Sequence, residues 1–113
     1  MPTAPFKMNF KKTDRGFGCY EFDDRYERSC TLQKSSLATE DCIWLGIDDA
    51  EPMIMAKDAH KLGLWCETNV GWIPFHVPPE VMMHTRMHLT RDQALVLAQK
   101  LTDFAMTGEV TPR

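Results

Sequence analysis

Residues 82–93 read MMHTRMHLTRDQ, and this stretch decides how the C-terminal part of the chain folds. Thr90 and Gln93 form a capping-box pattern, in which the threonine hydroxyl accepts the Gln93 backbone N–H and the glutamine side chain reaches back. A helix should therefore begin after Thr90. Apolar residues at helical spacing follow, and Gly108 supplies a left-handed stop. The pattern predicts an amphipathic helix over residues 91–107 with its apolar stripe packed on a sheet.

Upstream of the cap, two kinds of side chain alternate. Met83, Thr85, Met87 and Leu89 alternate with His84, Arg86 and His88. A period of two favours a strand with one buried and one polar face. The alternative is one long helix opened by Pro79, which would need about 28 residues against a mean near 12. We therefore predict a strand ahead of the capped helix.

This choice changes the chemistry of the two histidines. On a helix, His84 and His88 would form a metal pair, whereas on a strand they lie about 13 Å apart and cannot share one ion. On a strand, His84, Arg86 and His88 form a row of donors. Arginine offers a planar fork that suits phosphate or carboxylate, and histidine adds switchable charge and a stacking surface. The row is either a binding site for an anion or an ordinary solvated strand face.

The rest of the chain indicates a small mixed domain. Residues 1–12 predict an N-terminal arm or edge strand, and residues 17–90 predict a sheet interrupted by an irregular, proline-rich loop over 66–80. The predicted fold class is α+β. We expect an antiparallel sheet of about four to six strands, with one C-terminal amphipathic helix packed on it, in a single domain of residues 1–113.

Composition excludes several classes of protein. The chain has 113 residues and a net charge of −3, so it lacks the basic excess of a general nucleic-acid binder. Its apolar runs are far shorter than the eighteen or so residues that a membrane span requires. The N-terminal residues lack a secretory h-region, and a cytoplasmic location is expected. The four cysteines have no zinc-type spacing and should be reduced and buried. We expect no metal, no cofactor and no catalytic residue, because no catalytic signature is present.

Two further features could contribute to a binding site. Ser35 and Ser36 lie in a polar loop whose amides and hydroxyls could accept an anion, as a turn nest does. Trp44 lies in the predicted central strand CIWLGI and could stack on a base. Each also has an ordinary structural interpretation, as a common loop and as a core aromatic residue.

Two blocks resemble a family of small proteins encoded by tailed phages and prophages. The blocks are CTLQKSSLATEDCIWLG, residues 30–46, and RMHLTRDQ, residues 86–93. The match covers roughly residues 17–110, with a variable middle loop, and the family has no assigned function. The resemblance implies a counter-defence protein in the bacterial host cell, and it implies that the two blocks meet in the fold.

Three functions follow from these observations. The first is sequestration of a small anionic, nucleotide-type signalling ligand, held by Arg86, His84, His88, Ser35, Ser36 and Trp44 in a homo-oligomer. The second is protein–protein inhibition of a host defence complex through an acidic surface. The third is a small phosphodiesterase-like enzyme that uses histidines. A row of basic side chains without a catalytic signature favours binding of a ligand over its hydrolysis, so we rank the three functions in this order.

Overall fold

A computed structural model describes residues 5–112 of the chain. Its elements are β1 (Asn9–Lys12), β2 (Gly18–Asp23), β3 (Ser29–Lys34), β4 (Cys42–Ile47), β5 (Met53–Met55), α1 (Ala56–Lys61), β6 (Trp72–Pro74), β7 (Met87–Thr90) and α2 (Arg91–Thr107). They form two compact units. One ends at Asp48 and resumes at Thr85, and the other is Asp49–His84. The single-domain organisation stays a prediction, and residues 1–4 of the predicted N-terminal arm lie outside the described residues.

The first unit is built on a five-stranded antiparallel sheet. The strand order is β1-β2-β3-β4-β7, so four strands follow the chain and the fifth is added at the edge beside β4. With the helix α2 after it, this sheet confirms the predicted α+β class. The pairing of β4 with β7 also confirms that the two sequence blocks meet, since Cys42 lies opposite Thr90 and Leu45 opposite Met87.

The register gives the sheet two chemically different faces, because successive side chains of a strand point to opposite sides. We call one the apolar face; besides Lys12 and Lys34 its side chains are apolar or aromatic, namely Phe10, Tyr20, Phe22, Cys30, Leu32, Ile43, Leu45, Ile47, Met87 and Leu89. We call the other the polar face; its residues are Lys11, Cys19, Glu21, Thr31, Gln33, Trp44, Gly46 and His88.

The helix α2 begins and ends where the sequence predicts. The Thr90 hydroxyl accepts the Gln93 N–H at 3.2 Å, and Gln93 Oε1 accepts the Thr90 N–H at 2.9 Å, which completes the capping box. Gly108 takes the left-handed conformation at φ 78° and donates its N–H to the Phe104 carbonyl. The helix contacts β7 and β4, and Ala94 and Leu97 in its first two turns are half-buried.

The second unit is small. β5 and β6 form a two-stranded antiparallel sheet in which Ile54 lies opposite Ile73, and α1 follows β5 directly. Ala56 and Ala59 of α1 are fully buried, so this helix packs through its smallest side chains. Within residues 5–112, neither helix combines the length and hydrophobicity that a bilayer crossing requires.

Two sequence expectations need correction. The strand predicted over the alternating residues is shorter, because β7 starts only at Met87 and residues 84–86 are irregular. The loop predicted over residues 66–80 contains β6, which ends in Pro74. Proline is compatible with that strand because a two-stranded sheet has only edge strands, where one N–H can be dispensed with.

Candidate functional site

One row of side chains crosses the polar face from edge to edge. The register places in it Lys11, Cys19, Gln33, Trp44 and His88, one from each strand of the five-stranded sheet. Directly opposite residues on one face have Cβ atoms about 4.5–5.5 Å apart, so neighbours in this row contact each other. The row brings a cation, an amide, an indole and an imidazole onto one surface.

The strongest cluster in this row centres on Trp44. The His88 ring stacks on the indole with centroids 4.0 Å apart and planes within 11° of parallel. The Arg86 guanidinium carbon lies 5.5 Å from the same indole, within cation–π distance. Trp44 and Arg86 are half-buried and His88 is exposed. The contacts hold an imidazole and a guanidinium against one aromatic ring, which limits the rotamers of both side chains.

Gly46 allows Arg86 to reach this cluster. A Cβ at position 46 would lie 2.5 Å from both the Arg86 Cα and the Thr85 carbonyl oxygen, far inside contact distance. Gly46 also has φ 154°, which side-chain-bearing residues rarely adopt. The chain entering β7 therefore passes directly over a position without a side chain. This close approach also explains why the strand pairing of β7 stops at Met87.

A polar cleft of about 540 Å³ adjoins the cluster within the first unit. Its lining residues include Lys11, Lys12, Asp14, Cys19, Glu21, Thr31, Gln33, Asp48 and Arg86. The buried Thr31 hydroxyl donates a 2.5 Å hydrogen bond to the Asp48 carboxylate, which holds that carboxylate over the sheet. Lys11 forms an ion pair with Glu21 across the first two strands. The cleft thus presents cations, carboxylates and an amide together.

The ionisation of the cleft follows from these partners. The hydrogen bond and the charge of Glu21 raise the pKa of the Lys11 ammonium, so Lys11 stays charged at neutral pH. Burial raises the pKa of the Cys19 thiol, and Lys11 only partly offsets this effect. Cys19 is therefore a protonated thiol at neutral pH and acts as a weakly polar wall, since the thiolate is the form that attacks or binds metal.

The structure places the predicted site residues in three locations. Arg86, His88 and Trp44 come together on the polar face. Ser35 is buried at the far end of the β3–β4 hairpin, where its hydroxyl accepts the Leu37 N–H, and Ser36 beside it is exposed. The Ser35 N–H donates to the carbonyl oxygen of Cys42. Cys42 lies four residues before Gly46 in β4, so the serine end of the hairpin is about 13 Å along the strand from Gly46.

His84 differs from the other members of the predicted row. It is the last residue of the second unit, whereas Arg86 and His88 belong to the first. Of the predicted residues, the structure therefore brings together Arg86 and His88, both in contact with the indole of Trp44. Ser35 and Ser36 lie at the opposite end of the hairpin.

Over the part of the chain that the structure describes, the prediction of buried cysteines holds for three of the four and is wrong for Cys66, which is only half-buried. All four thiols are free, and Cys19, Cys30 and Cys42 are buried. Cys66 in the second unit lies 3.3 Å from His60 Nε2 and donates to the Thr68 carbonyl at 3.1 Å. Residues 5–112 contain no group of three or more metal-ligating side chains.

Sequence reasoning missed several residues of the cleft. Thr31 and Gln33 carry no motif, and Lys11 lies in a segment interpreted only as an arm or edge strand. Asp48 is distinguished in the sequence only as part of an acidic pair with Asp49 at the end of the predicted central strand. Alternation along SCTLQK could have placed Thr31 and Gln33 on the face opposite Cys30 and Leu32. Alternation does not show which strands pair with each other, so it could not place these residues beside Arg86.

Comparison with known proteins does not assign the site. A scan against family models finds no match, and searches of the curated proteins and of the solved structures find none either.

Proposed function

We propose that this protein binds and sequesters a small anionic ligand of nucleotide type on the polar face of its sheet. The observation that carries the proposal is the cluster of Arg86, Trp44 and His88 beside a polar cleft of about 540 Å³. Pockets for small molecules have volumes of about 300–1,000 Å³, so the cleft is of suitable size. The resemblance to phage proteins extends the proposal to a counter-defence role, in which the bound ligand is a signal of the host.

The phosphate would be held by Arg86. Its guanidinium forms paired hydrogen bonds to phosphate oxygens, a geometry that a lysine ammonium lacks. The contact with Trp44 restricts the Arg86 side chain, so less conformational entropy is lost when a phosphate binds. His88 stands beside it as a second hydrogen-bond donor.

The other groups of the cleft suit the neutral part of a nucleotide. The Asp48 and Glu21 carboxylates can accept hydrogen bonds from sugar hydroxyls or an exocyclic amine, and the Gln33 amide can both donate and accept. One face of the Trp44 indole is covered by His88, so a base that stacks in this cluster would contact the outer face of His88. This mixture of charges favours a ligand with hydroxyl and amine donors over inorganic phosphate.

Thermal unfolding with a ligand panel tests the proposal. The panel contains cyclic dinucleotides, ADP-ribose-type nucleotides, the matching nucleosides and inorganic phosphate. We expect at least one phosphorylated member to raise the unfolding midpoint and its nucleoside to leave it unchanged. Ligand at 100 times its Kd stabilises the native state by about 2.7 kcal/mol. A panel in which no nucleotide raises the midpoint, at ligand well above micromolar, contradicts the proposal.

Arg86→Ala is the decisive variant, with Arg25→Ala as its control. Arg25 is an exposed arginine in the turn between β2 and β3, so its removal changes the net charge equally. We expect Arg86→Ala to abolish the ligand-induced shift and Arg25→Ala to retain it. Loss of the cation–π contact should lower the stability of Arg86→Ala by only about 0.5–1 kcal/mol. A much larger loss would mean that Arg86 is structural.

Chromatography of the nucleotide after incubation with the protein distinguishes binding from hydrolysis. Sequestration predicts that the ligand is recovered intact when the protein is denatured. Recovery of cleaved product would replace the binding function with the phosphodiesterase-like alternative.

A further inference from the structure

A thiol and an imidazole lie in contact in the second unit. Cys66 Sγ is 3.3 Å from His60 Nε2, within the distance of a hydrogen bond that involves sulfur. The Thr68 carbonyl oxygen lies 3.1 Å from the sulfur and 3.2 Å from the same ring nitrogen. A nucleophile within hydrogen-bond reach of a base, with a third group that orients the base, is the arrangement that activates a thiol for attack.

The end of α1 brings these groups together. His60 lies in the last turn of α1, and Gly63 behind it takes the left-handed conformation at φ 75°. The Gly63 N–H donates to the His60 carbonyl, so the helix ends there and the chain reverses. Cys66 thereby returns to the imidazole. The Thr68 hydroxyl accepts the Val70 N–H at 3.2 Å, which fixes the turn that carries the Thr68 carbonyl.

The other three thiols of the chain are in a different state. Cys19, Cys30 and Cys42 are 3%, 5% and 6% exposed, and burial raises the pKa of each thiol. They are therefore protonated at neutral pH and shielded from reagents. Cys66 is half-buried and contacts an exposed histidine. Because a thiol reacts as its thiolate and needs access to the reagent, Cys66 is the thiol that a solute can attack.

We propose that Cys66 is a site of reversible covalent modification by small disulfides of the glutathione type, and that His60 takes the thiol proton. Sulfur in a disulfide is the electrophile with which a thiolate exchanges, and a second thiol reverses the product. This inference goes beyond the proposed ligand site, since neither Cys66 nor His60 lines the polar cleft.

The reaction is a thiol–disulfide exchange. His60 Nε2 accepts the proton of the Cys66 thiol in the tautomer that carries its ring hydrogen on Nδ1. The sulfur then attacks one sulfur of the small disulfide, and the original S–S bond breaks as the new one forms. The leaving thiolate takes the proton back from Nε2. One disulfide and one protein thiol thus give one mixed disulfide and one small thiol.

The Thr68 carbonyl supports the middle of this sequence. While the proton is on the ring, both ring nitrogens are donors, and Nε2–H can donate to the carbonyl oxygen at 3.2 Å. A hydrogen bond from a charged donor is stronger than one from a neutral donor. The carbonyl therefore stabilises the protonated His60 while the sulfur attacks.

Intact-mass spectrometry of the full, reduced chain tests the site. The probes are oxidised glutathione, which is charged, and bis(2-hydroxyethyl) disulfide, which is neutral and reports thiol reactivity without attraction or repulsion by charge. We expect wild-type protein at neutral pH to gain one adduct from the neutral probe, which a reducing thiol removes, and Cys66→Ser to gain none. A Cys66→Ser chain that gains the adduct at the wild-type rate overturns the proposal.

His60→Ala tests the base. We expect its adduct to form at least about tenfold more slowly, because a positioned base contributes typically about a hundredfold or more. Free imidazole in the buffer should restore part of the lost rate, an effect that a structural role of His60 would not produce. His76→Ala is the matched control, since it removes an exposed histidine of the same unit and should leave the rate unchanged. Equal rates in His60→Ala and wild type, or a slow variant that imidazole does not accelerate, overturn the role of His60.

His60→Gln covers the case in which the alanine variant unfolds. It keeps a polar side chain that cannot take the proton, and it should remain folded by circular dichroism and react slowly. The number of adducts monitors the fold, because an unfolded chain exposes all four thiols and gains more than one. A folded His60→Gln chain that reacts at the wild-type rate overturns the proposal. None of these results bears on whether the polar face binds nucleotide.

Discussion

The two faces of the five-stranded sheet are made by the same strands, yet their side chains differ in chemistry. The apolar face carries a row of Phe10, Tyr20, Leu32, Leu45 and Met87, each opposite the next across the five strands. The polar face carries the row of Lys11, Cys19, Gln33, Trp44 and His88, shifted by one residue in every strand. A shift of one residue therefore separates a row of apolar and aromatic side chains from a row that carries an amide, an imidazole and a cation.

The difference lies in how specific each face must be. Apolar contacts are non-directional, so the apolar face tolerates exchange of one hydrophobic side chain for another of similar volume. Hydrogen bonds and ring stacking require fixed geometry, and the polar face depends on Gly46, on the Thr31–Asp48 hydrogen bond and on the Trp44–His88 stack. Changes on the apolar face should act on stability, and changes on the polar face should act on the site.

Gly46→Ala should have the largest effect, since it disturbs both stability and the site. The new Cβ would clash with backbone atoms at Thr85 and Arg86, which cannot move without shifting the start of β7. We expect a loss of about 1–3 kcal/mol in urea unfolding and loss of the Arg86 contact with Trp44.

Gly18→Ala is the control for this substitution. A Cβ at Gly18 would lie 3.5 Å from the Phe10 ring, an ordinary contact, and its cost should be small. Equal stability of the two variants would mean that the close approach at Gly46 is not rigid. Tryptophan fluorescence reports whether the surroundings of Trp44 change.

Adjacent residues of β3 compare the two faces directly. Leu32→Ala removes a half-buried side chain opposite Leu45 and should cost about 1–2 kcal/mol. Thr31→Val keeps the shape of a buried residue and removes the hydrogen bond to Asp48, which should cost about 1 kcal/mol. In the ligand assay the order should reverse, and Thr31→Val should weaken ligand binding more than Leu32→Ala does. If Leu32→Ala lowers the ligand affinity more than Thr31→Val does, the two faces do not have the separate roles expected of them.

Alkaline pH should weaken the sheet through thiols on both faces. Burial raises the pKa of Cys19 on the polar face and of Cys30 on the apolar face. A raised pKa in the folded state means that their contribution is complete below the ordinary thiol pKa of 9.0 and declines as pH rises above it.

Unfolding by urea at neutral pH and at about pH 10 measures this decline. Cys19→Ala/Cys30→Ala should reduce the dependence of the free energy of unfolding on pH. An undiminished decline in the double variant would assign the alkaline effect to other groups.

The smallest effect should come from the ion pair at the end of the β3–β4 hairpin. Lys34 Nζ lies 2.9 Å from Asp41 Oδ1, and this lysine lowers the pKa of the Asp41 carboxyl. The pair contributes above the ordinary pKa of the carboxyl and is lost as pH falls through the lowered one. Asp41→Asn should slightly reduce stability at neutral pH and low salt, and high salt should remove the difference. A salt-independent loss would point to packing.

The local features of the chain were predictable because their causes are local. The Thr90–Gln93 cap involves residues three apart, and it places the start of α2 without reference to the rest of the fold. The alternation in SCTLQK likewise predicts β3 and its two faces. The extent of β7 was not predictable from its alternation. Residues 85 and 86 ahead of it pass close over Gly46, which lies about forty residues earlier in the chain.

The candidate site was predictable only in part. The side-chain chemistry of Arg86, His88 and Trp44 predicts a site; the register places His88 opposite Trp44, and the close approach at Gly46 brings Arg86 to them. Ser35 and Ser36, which the same chemistry predicts for the site, lie at the other end of the hairpin. The sequence by itself determined the α+β class, the capped helix and the presence of basic and aromatic side chains near its start. The tertiary structure decided which of them meet, because strand register is set by pairing between residues far apart in the chain. It also placed Lys11, Gln33 and Asp48 beside Arg86.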